Sequence, residues 1–266
     1  ALKRADSYTG SVFNVSSGTL KLTDIILDGN GVETSSPVIS AASGTVEINS
    51  GAVVKNCNGT SVGSGSAVEI TGTANLSMNY GTVKNNISNG KGTVYFDSNG
   101  SFSVKNLVTI EDNVNSSGEK NNVYLAQGKQ ITVNGDLDAS QIGVTAQQIP
   151  EASVGDSTEM GQEIVIAVPS ADYSASITSC PFADNFFADK DTGNGTGIYT
   201  AVGSSALNNS RNTVLKRNGY IVSFAYRDTA TGGTVTGAPD TPSLSFASGD
   251  GVVISPPSAI SGYEFT

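Results

Sequence analysis

The sequence predicts an all-β protein, a right-handed parallel β-helix followed by a small C-terminal β-rich module. Three observations predict it. Short apolar pairs recur down the N-terminal half at a constant internal spacing, and glycine, asparagine, serine and threonine punctuate the gaps between them. Apolar residues rarely hold the i, i+3, i+4, i+7 spacing for more than one turn, so the chain should be almost free of helix.

The repeat carries the most weight. Apolar pairs stand at Leu20/Leu22, Val46/Ile48, Leu76/Met78, Phe102/Val104 and Ile131/Val133, each with a valine eight residues before its first member: Val12, Val38, Val68, Val94 and Val123. From valine to valine the steps are 26, 30, 26 and 29 residues, so insertions are confined to one part of each unit, as in a solenoid. A third element follows each pair, as Leu27-Asp28-Gly29-Asn30, Val54-Lys55-Asn56-Cys57, Val83-Lys84-Asn85-Asn86 and Ile110-Glu111-Asp112-Asn113. Three short strands per unit suit one triangular coil. Such a coil is too small to bury a face alone, and it gains a core only when neighbours stack at about 4.8 Å.

Alternation along a strand then assigns directions. Leu20 and Leu22 point inward, and Lys21, Glu47, Ser77, Ser103 and Thr132 form an outward polar column. In the first strand Val68/Ile70, Val94/Phe96 and Val123/Leu125 point in, leaving Glu69, Tyr95 and Tyr124 outside. In the first two coils Phe13/Val15 and Ile39/Ala41 serve equally well as the inward set, and the register there stays open. At the corners, Asn56, Asn85 and Asp112 fall in one column and Asn30, Cys57, Asn86 and Asn113 in the next. Asparagine tolerates a left-handed backbone, and stacked amides bond along a column, so both read as structural ladders with Cys57 a small filler.

From Ala139 to Gln162 the apolar pattern weakens. A strand over Glu163 to Val168, the aromatic cluster Phe182, Phe186 and Phe187, and strands at Ile198-Tyr199 and Thr213-Val214-Leu215 then read as irregular coils closing the open end, which would otherwise expose strand edges and core. The predicted division is a capped β-helix over residues 1–216 and a small module over 217–266. The module opens with a strand over Tyr220 to Tyr226 and continues through Gly232-Gly233, Leu244-Ser245-Phe246, Gly249-Asp250-Gly251 and Val252 to Ile254.

Over roughly residues 10 to 135 the coils resemble right-handed parallel β-helix proteins of the pectin-lyase-like architecture. The unit Gly51-Ala52-Val53-Val54-Lys55-Asn56 is similar to units of large repeat-bearing bacterial surface proteins. The last fifty residues, ending Gly262-Tyr263-Glu264-Phe265, resemble β-grasp-like adhesin modules such as internalin-type B repeats and mucin-binding repeats, with Arg227-Asp228-Thr229-Ala230 in place of the usual glycine-rich turn. Architecture carries over no activity.

Composition excludes several classes. A net charge of −10 and the scarcity of lysine and arginine argue against nucleic acid and against anionic lipid. The longest apolar run, Ile164 to Val168, cannot cross a bilayer, which takes about 20 residues. With no histidine, a Ser-His-Asp triad, a Cys-His pair and histidine-bearing zinc sites are ruled out. No phosphate-binding glycine motif follows a strand, and no cofactor is expected. Cys57 and Cys180, 123 positions apart, are expected to stay unpaired. The chain begins at Ala1 without methionine or an apolar leader and so reads as a processed or excised fragment. Low cysteine and abundant Ser/Thr/Asn/Gly match exported bacterial proteins, so the expected location is extracellular or the cell surface, and the expected state monomeric.

The enzyme reading that survives is polysaccharide cleavage by paired carboxylates, or by a calcium-bound acid with a basic residue. Asp28 and Glu111 share an outward column with Lys55 and Lys84, which reads as a mutually compensating surface. Asp97, Asp112, Asp136 and Asp138 are the acids placed to approach one another across coils, with Asp136 and Asp138 a weak calcium candidate. For binding, the candidates are Tyr95 and Tyr124 with Glu69 beside them, exposed aromatics able to pack on a sugar ring or a partner protein. The expectation is a non-catalytic surface segment, an adhesin stalk or a contact surface for host glycan or protein. The alternatives are a β-helix polysaccharide lyase or hydrolase, and a purely mechanical spacer.

Overall fold

The computed structural model describes residues 1–148, 163–189, 199–204, 211–217, 219–223 and 243–247. Its architecture is a parallel β-solenoid of about five turns. The first face stacks Phe13–Val15, Ile39–Ala41, Val68–Gly72, Val94–Ser98 and Val123–Leu125; the second stacks Thr19–Leu22, Thr45–Asn49, Asn75–Asn79, Phe102–Lys105 and Ile131–Val133. The third carries Leu2–Lys3, Ile26–Asp28, Val53–Lys55, Thr82–Lys84 and Thr109–Glu111. A short fourth sheet of Glu33–Thr34, Asn58–Gly59 and Ile87–Ser88 lines the corner between the third face and the next coil's first face. All these pairings are parallel.

Side chains repeat at fixed positions because neighbouring coils share register. The second face aligns Leu20, Val46, Leu76, Phe102 and Ile131 in one inward file and Leu22, Ile48, Met78, Val104 and Val133 in the other, as the repeat predicts. From Val46 onward these side chains are at most 1% exposed. Leu20 is only partly buried, since no coil lies beneath it.

The first face corrects the predicted valine file. Val68, Val94 and Val123 align, but they continue to Ile39 and Phe13, one residue beyond Val38 and Val12. The bend between first and second strands is therefore one residue shorter in the first two coils. Val38 is still fully buried, packed at the bend before its strand. Two hydrophobic residues side by side hide a one-residue slip from any spacing argument, because either can serve as the inward one.

The solenoid ends through one strand that the sequence pattern does not reveal. Gln141–Ala146 lies where the apolar alternation weakens, yet Gln141 and Ile142 extend the third face while Val144, Thr145 and Ala146 extend the first. The corner between those faces is gone in this coil. Gly143 sits at the join, where a Cβ would stand 2.3 Å from both Asn122 Nδ2 and Asp189 Oδ1, so only glycine fits.

Beyond it, Phe186–Ala188 adds to the same strand in parallel. Glu163–Pro169 pairs with Ile131–Val133 and then turns its other edge antiparallel to Thr213–Arg217, which pairs with Tyr199–Gly203. An antiparallel pair cannot continue a parallel coil, so stacking on the second face stops there. The six-residue helix Ala171–Ser176, capped by Ser170 accepting from the Tyr173 N–H, and the buried Phe182 and Phe186 cover this end of the core. Phe187 is half-exposed.

The chain divides into two compact units, Ala1–Lys190 with Tyr199–Arg217, and Asp191–Ile198 with Asn218–Thr266. In the second, Gly219–Ser223 pairs antiparallel with Ser243–Ala247. The other features predicted there lie outside the described residues: Arg227–Ala230, Gly232-Gly233, residues 249–254 and Gly262-Tyr263-Glu264-Phe265.

Candidate functional site

On the first face Glu69, Tyr95 and Tyr124 are successive residues of one outward column. The tyrosine rings lie 5.9 Å apart, tilted by 59°. They are not the open platform that alternation predicts, because Tyr95 is only 6% exposed. The segments before the strands fold back over the face: the Gly65 backbone packs on the Tyr95 Cβ, and Lys91 reaches across. Lys91 Nζ sits 4.9 Å from the Tyr95 ring centre and 5.8 Å from that of Tyr124, and donates to the Tyr95 hydroxyl at 3.3 Å. That hydroxyl in turn donates to Asp97 Oδ2 at 3.0 Å.

The ring face that a sugar would use on Tyr95 is thus occupied by an ammonium, a contact that holds better where water is excluded. Burial first, then the hydrogen bond to Asp97 and the nearby acidic charge, push the Tyr95 phenol upward, so it stays a protonated donor. Burial also raises the Glu69 carboxyl, opposed by the Gly65 N–H and by Lys91. The cluster is internally paired. Tyr124, half-exposed and followed in the column by Thr145, is its accessible part.

A second polar system runs inside the corner between the third and first faces. The Cys57 N–H donates to Asn86 Oδ1 (2.9 Å); the Asn86 N–H and Nδ2 donate to Asn113 Oδ1 (3.1 and 2.8 Å). The Asn113 N–H and Nδ2 then donate to Asn122 Oδ1 (3.2 and 2.8 Å), and those of Asn122 to the two oxygens of Asp189 (2.8 and 2.6 Å). Further donation from Asn86 Nδ2 to the Lys84 carbonyl and from Asn113 Nδ2 to the Glu111 carbonyl fixes which amide atom is oxygen. Every amide therefore points its N–H end toward Asp189.

Asp189 is 2% exposed. Burial pushes its carboxyl up to about 6, against the opposing pull of Asn122, Thr145 and Lys120. Of the predicted column, Cys57, Asn86 and Asn113 belong to this ladder. Asn30 turns away at φ 61° and donates to the Arg4 carbonyl, and Asn122 and Asp189 take the ladder onward. Asn122 stands just before a first-face strand and Asp189 lies 67 residues beyond it, so no repeat spacing marks either.

The remaining acids do not converge. Asp97 lies on the first face, Asp112 at the left-handed corner with φ 54°, and Asp136 and Asp138 after the second face. Asp136 accepts from the Tyr173 hydroxyl at 2.8 Å. Among the described residues no three histidine, cysteine or carboxylate side chains gather closely enough to hold a metal ion. In the mixed-sign third-face column, Asp28 is bonded by the Asn30 N–H and by Asn56 Nδ2, while on the second face Lys21 pairs with Glu47 at 3.5 Å. Cys57 and Cys180 are unpaired, and burial pushes the Cys57 thiol up to about 12. Among the described residues no helix is long and apolar enough to cross a membrane.

Comparison of the chain with protein-family models, with curated proteins and with solved structures finds no match in any of the three.

Proposed function

We propose that this chain is a non-catalytic segment of an exported bacterial surface protein, a stalk whose polar exterior contacts host glycan or protein. One observation carries the reading. Among the described residues the charged groups that meet are engaged with one another, Lys91 with Tyr95 and through it Asp97, and Lys21 with Glu47, while Asp97, Asp112 and Asp136 stand on different parts of the coil. A catalytic acid–base pair needs the opposite arrangement, with titratable groups held around a common point. The pectin-lyase-like relationship of the coils, and a β-grasp-like relationship of the module that includes Gly219–Ser223 and Ser243–Ala247, belong to the same proposal.

The test has two arms. Antibodies against the fragment should label intact cells of the source bacterium, and the fragment should retain glycans or matrix proteins on an array, with Tyr124→Ala weakening retention. Labelling only after cell lysis overturns the surface assignment. Release of reducing ends or of unsaturated uronates from a polysaccharide panel overturns the non-catalytic one.

A further inference from the structure

The left-handed corner of the first coils carries an open groove of about 390 Å³, within the range of roughly 300–1,000 Å³ usual for small-molecule sites. Lys3 and Asp28, neighbours in register, form one rim. Asn56 and Asn85 project from the corner itself, each forced outward by a left-handed backbone at φ 54° and 55°. Asn58 and Ile87, adjacent in the short corner sheet, form the other rim.

What distinguishes this groove from the tyrosine column is that several of its polar groups are unspent. Asn56 Nδ2 is held by both oxygens of Asp28 at 3.1 Å. Among the described residues, however, the Asn56 Oδ1, the side-chain amides of Asn58 and Asn85 and the Lys3 ammonium have no hydrogen-bond or ion-pair partner in the protein. Ile87, 37% exposed, adds an apolar wall. One cation and one carboxylate balance, so the groove has no net charge to select an ion.

We propose that this groove binds a short stretch of neutral carbohydrate. Carboxamides offer both a donor and an acceptor, which is what vicinal hydroxyls require, and an aliphatic wall accepts the C–H face of a pyranose. Adjacent coils are about 4.8 Å apart, close to the rise of one sugar in an extended β-linked glycan. Asn56 and Asn85, which follow one another on adjacent coils, would therefore meet successive sugars. The site lies away from Tyr95 and Tyr124 and does not depend on the chain's cellular location, so its failure leaves the surface assignment standing.

The test titrates ¹⁵N-labelled protein with β-1,4-linked hexasaccharides of glucose, N-acetylglucosamine, xylose and mannose, with hexagalacturonate as the acidic comparison. At least one neutral hexasaccharide should shift the side-chain amides of Asn56, Asn58 and Asn85 saturably, with Kd of roughly 0.1–1 mM, the affinity of a few hydrogen bonds in an open site. The Asn58→Ala/Asn85→Gly variant, in which glycine preserves the left-handed corner, should weaken binding about tenfold or more. Lys3→Gln, on the exposed rim, should weaken it by a smaller factor, and Tyr124→Ala should leave it unchanged. No shift from any neutral hexasaccharide at about 10 mM, shifts that survive both groove variants, or tighter binding of hexagalacturonate each overturns the proposal.

Discussion

Replacing Asp189 by asparagine should change how the stability of the solenoid depends on pH. The carboxyl lies at the end of the amide ladder, and burial raises it from an ordinary 3.8 to about 6 in the folded protein. Because the folded value is the higher one, the favourable contribution is complete below about pH 4 and is lost as pH rises through about 6. At about 1.4 kcal/mol for each pH unit separating the two values, the loss amounts to about 3 kcal/mol. Asp189→Asn stays neutral at every pH, so it escapes this loss. It also offers Asn122 one oxygen in place of two, leaving either the N–H or the Nδ2 of Asn122 without its acceptor, at a constant cost of about 1–3 kcal/mol. Urea denaturation at pH 4, 5, 6 and 7, followed by circular dichroism, reads the difference between the two proteins. Wild type should lead at pH 4, and the gap should close by about 3 kcal/mol by pH 7. A gap constant to within about 0.5 kcal/mol would refute the reasoning. A gap that widens with pH would refute it more sharply, since the aligned amides would then be stabilising the carboxylate by more than burial destabilises it.

Other outcomes follow from the same contacts. Asn113→Ala removes the acceptor of two Asn86 donors and its own bonds to Val83 and Asn122, all buried, and should cost about 2–4 kcal/mol by urea denaturation. Phe96→Ala, which empties an inward position whose ring packs 5.5 Å from Phe102, should cost about 3–5 kcal/mol in the same assay. Tyr95→Phe deletes the hydroxyl that links Lys91 to Asp97 while keeping the ring, and a loss of about 1 kcal/mol is expected by urea denaturation. With its thiol pushed up to about 12, Cys57 should resist a disulfide exchange reagent at pH 8 until the protein is unfolded, whereas half-exposed Cys180 reacts in the native state.

The candidate site shows where inference from spacing loses its grip. Alternation correctly sends Glu69, Tyr95 and Tyr124 to the outside of their strands, since direction on a strand is a local property. Whether an outward residue meets water depends on what lies over it. Lys91 and Gly65 come from segments whose length the repeat leaves free, and nothing in their composition announces that they cross the face. The corner ladder divides in the same way. Asn86 and Asn113 are visible as a column because they repeat, whereas Asp189 contributes once and from a distant segment, so only the folded chain reveals it as the terminus.

By itself the sequence determines the strand-rich class, the coil as repeating unit, the inward files of the second face and the amide corner. Each of these depends on contacts between a residue and its equivalent one coil away, and an arrangement repeated from coil to coil leaves a copy of its mark at each step. The tertiary structure decides the register of the first two coils, the strand at Gln141–Ala146 that abolishes a corner, the covering of Tyr95 and the burial of Asp189. These are single events between segments far apart in the chain. Packing selects them once, and a pattern that occurs once has no period to betray it.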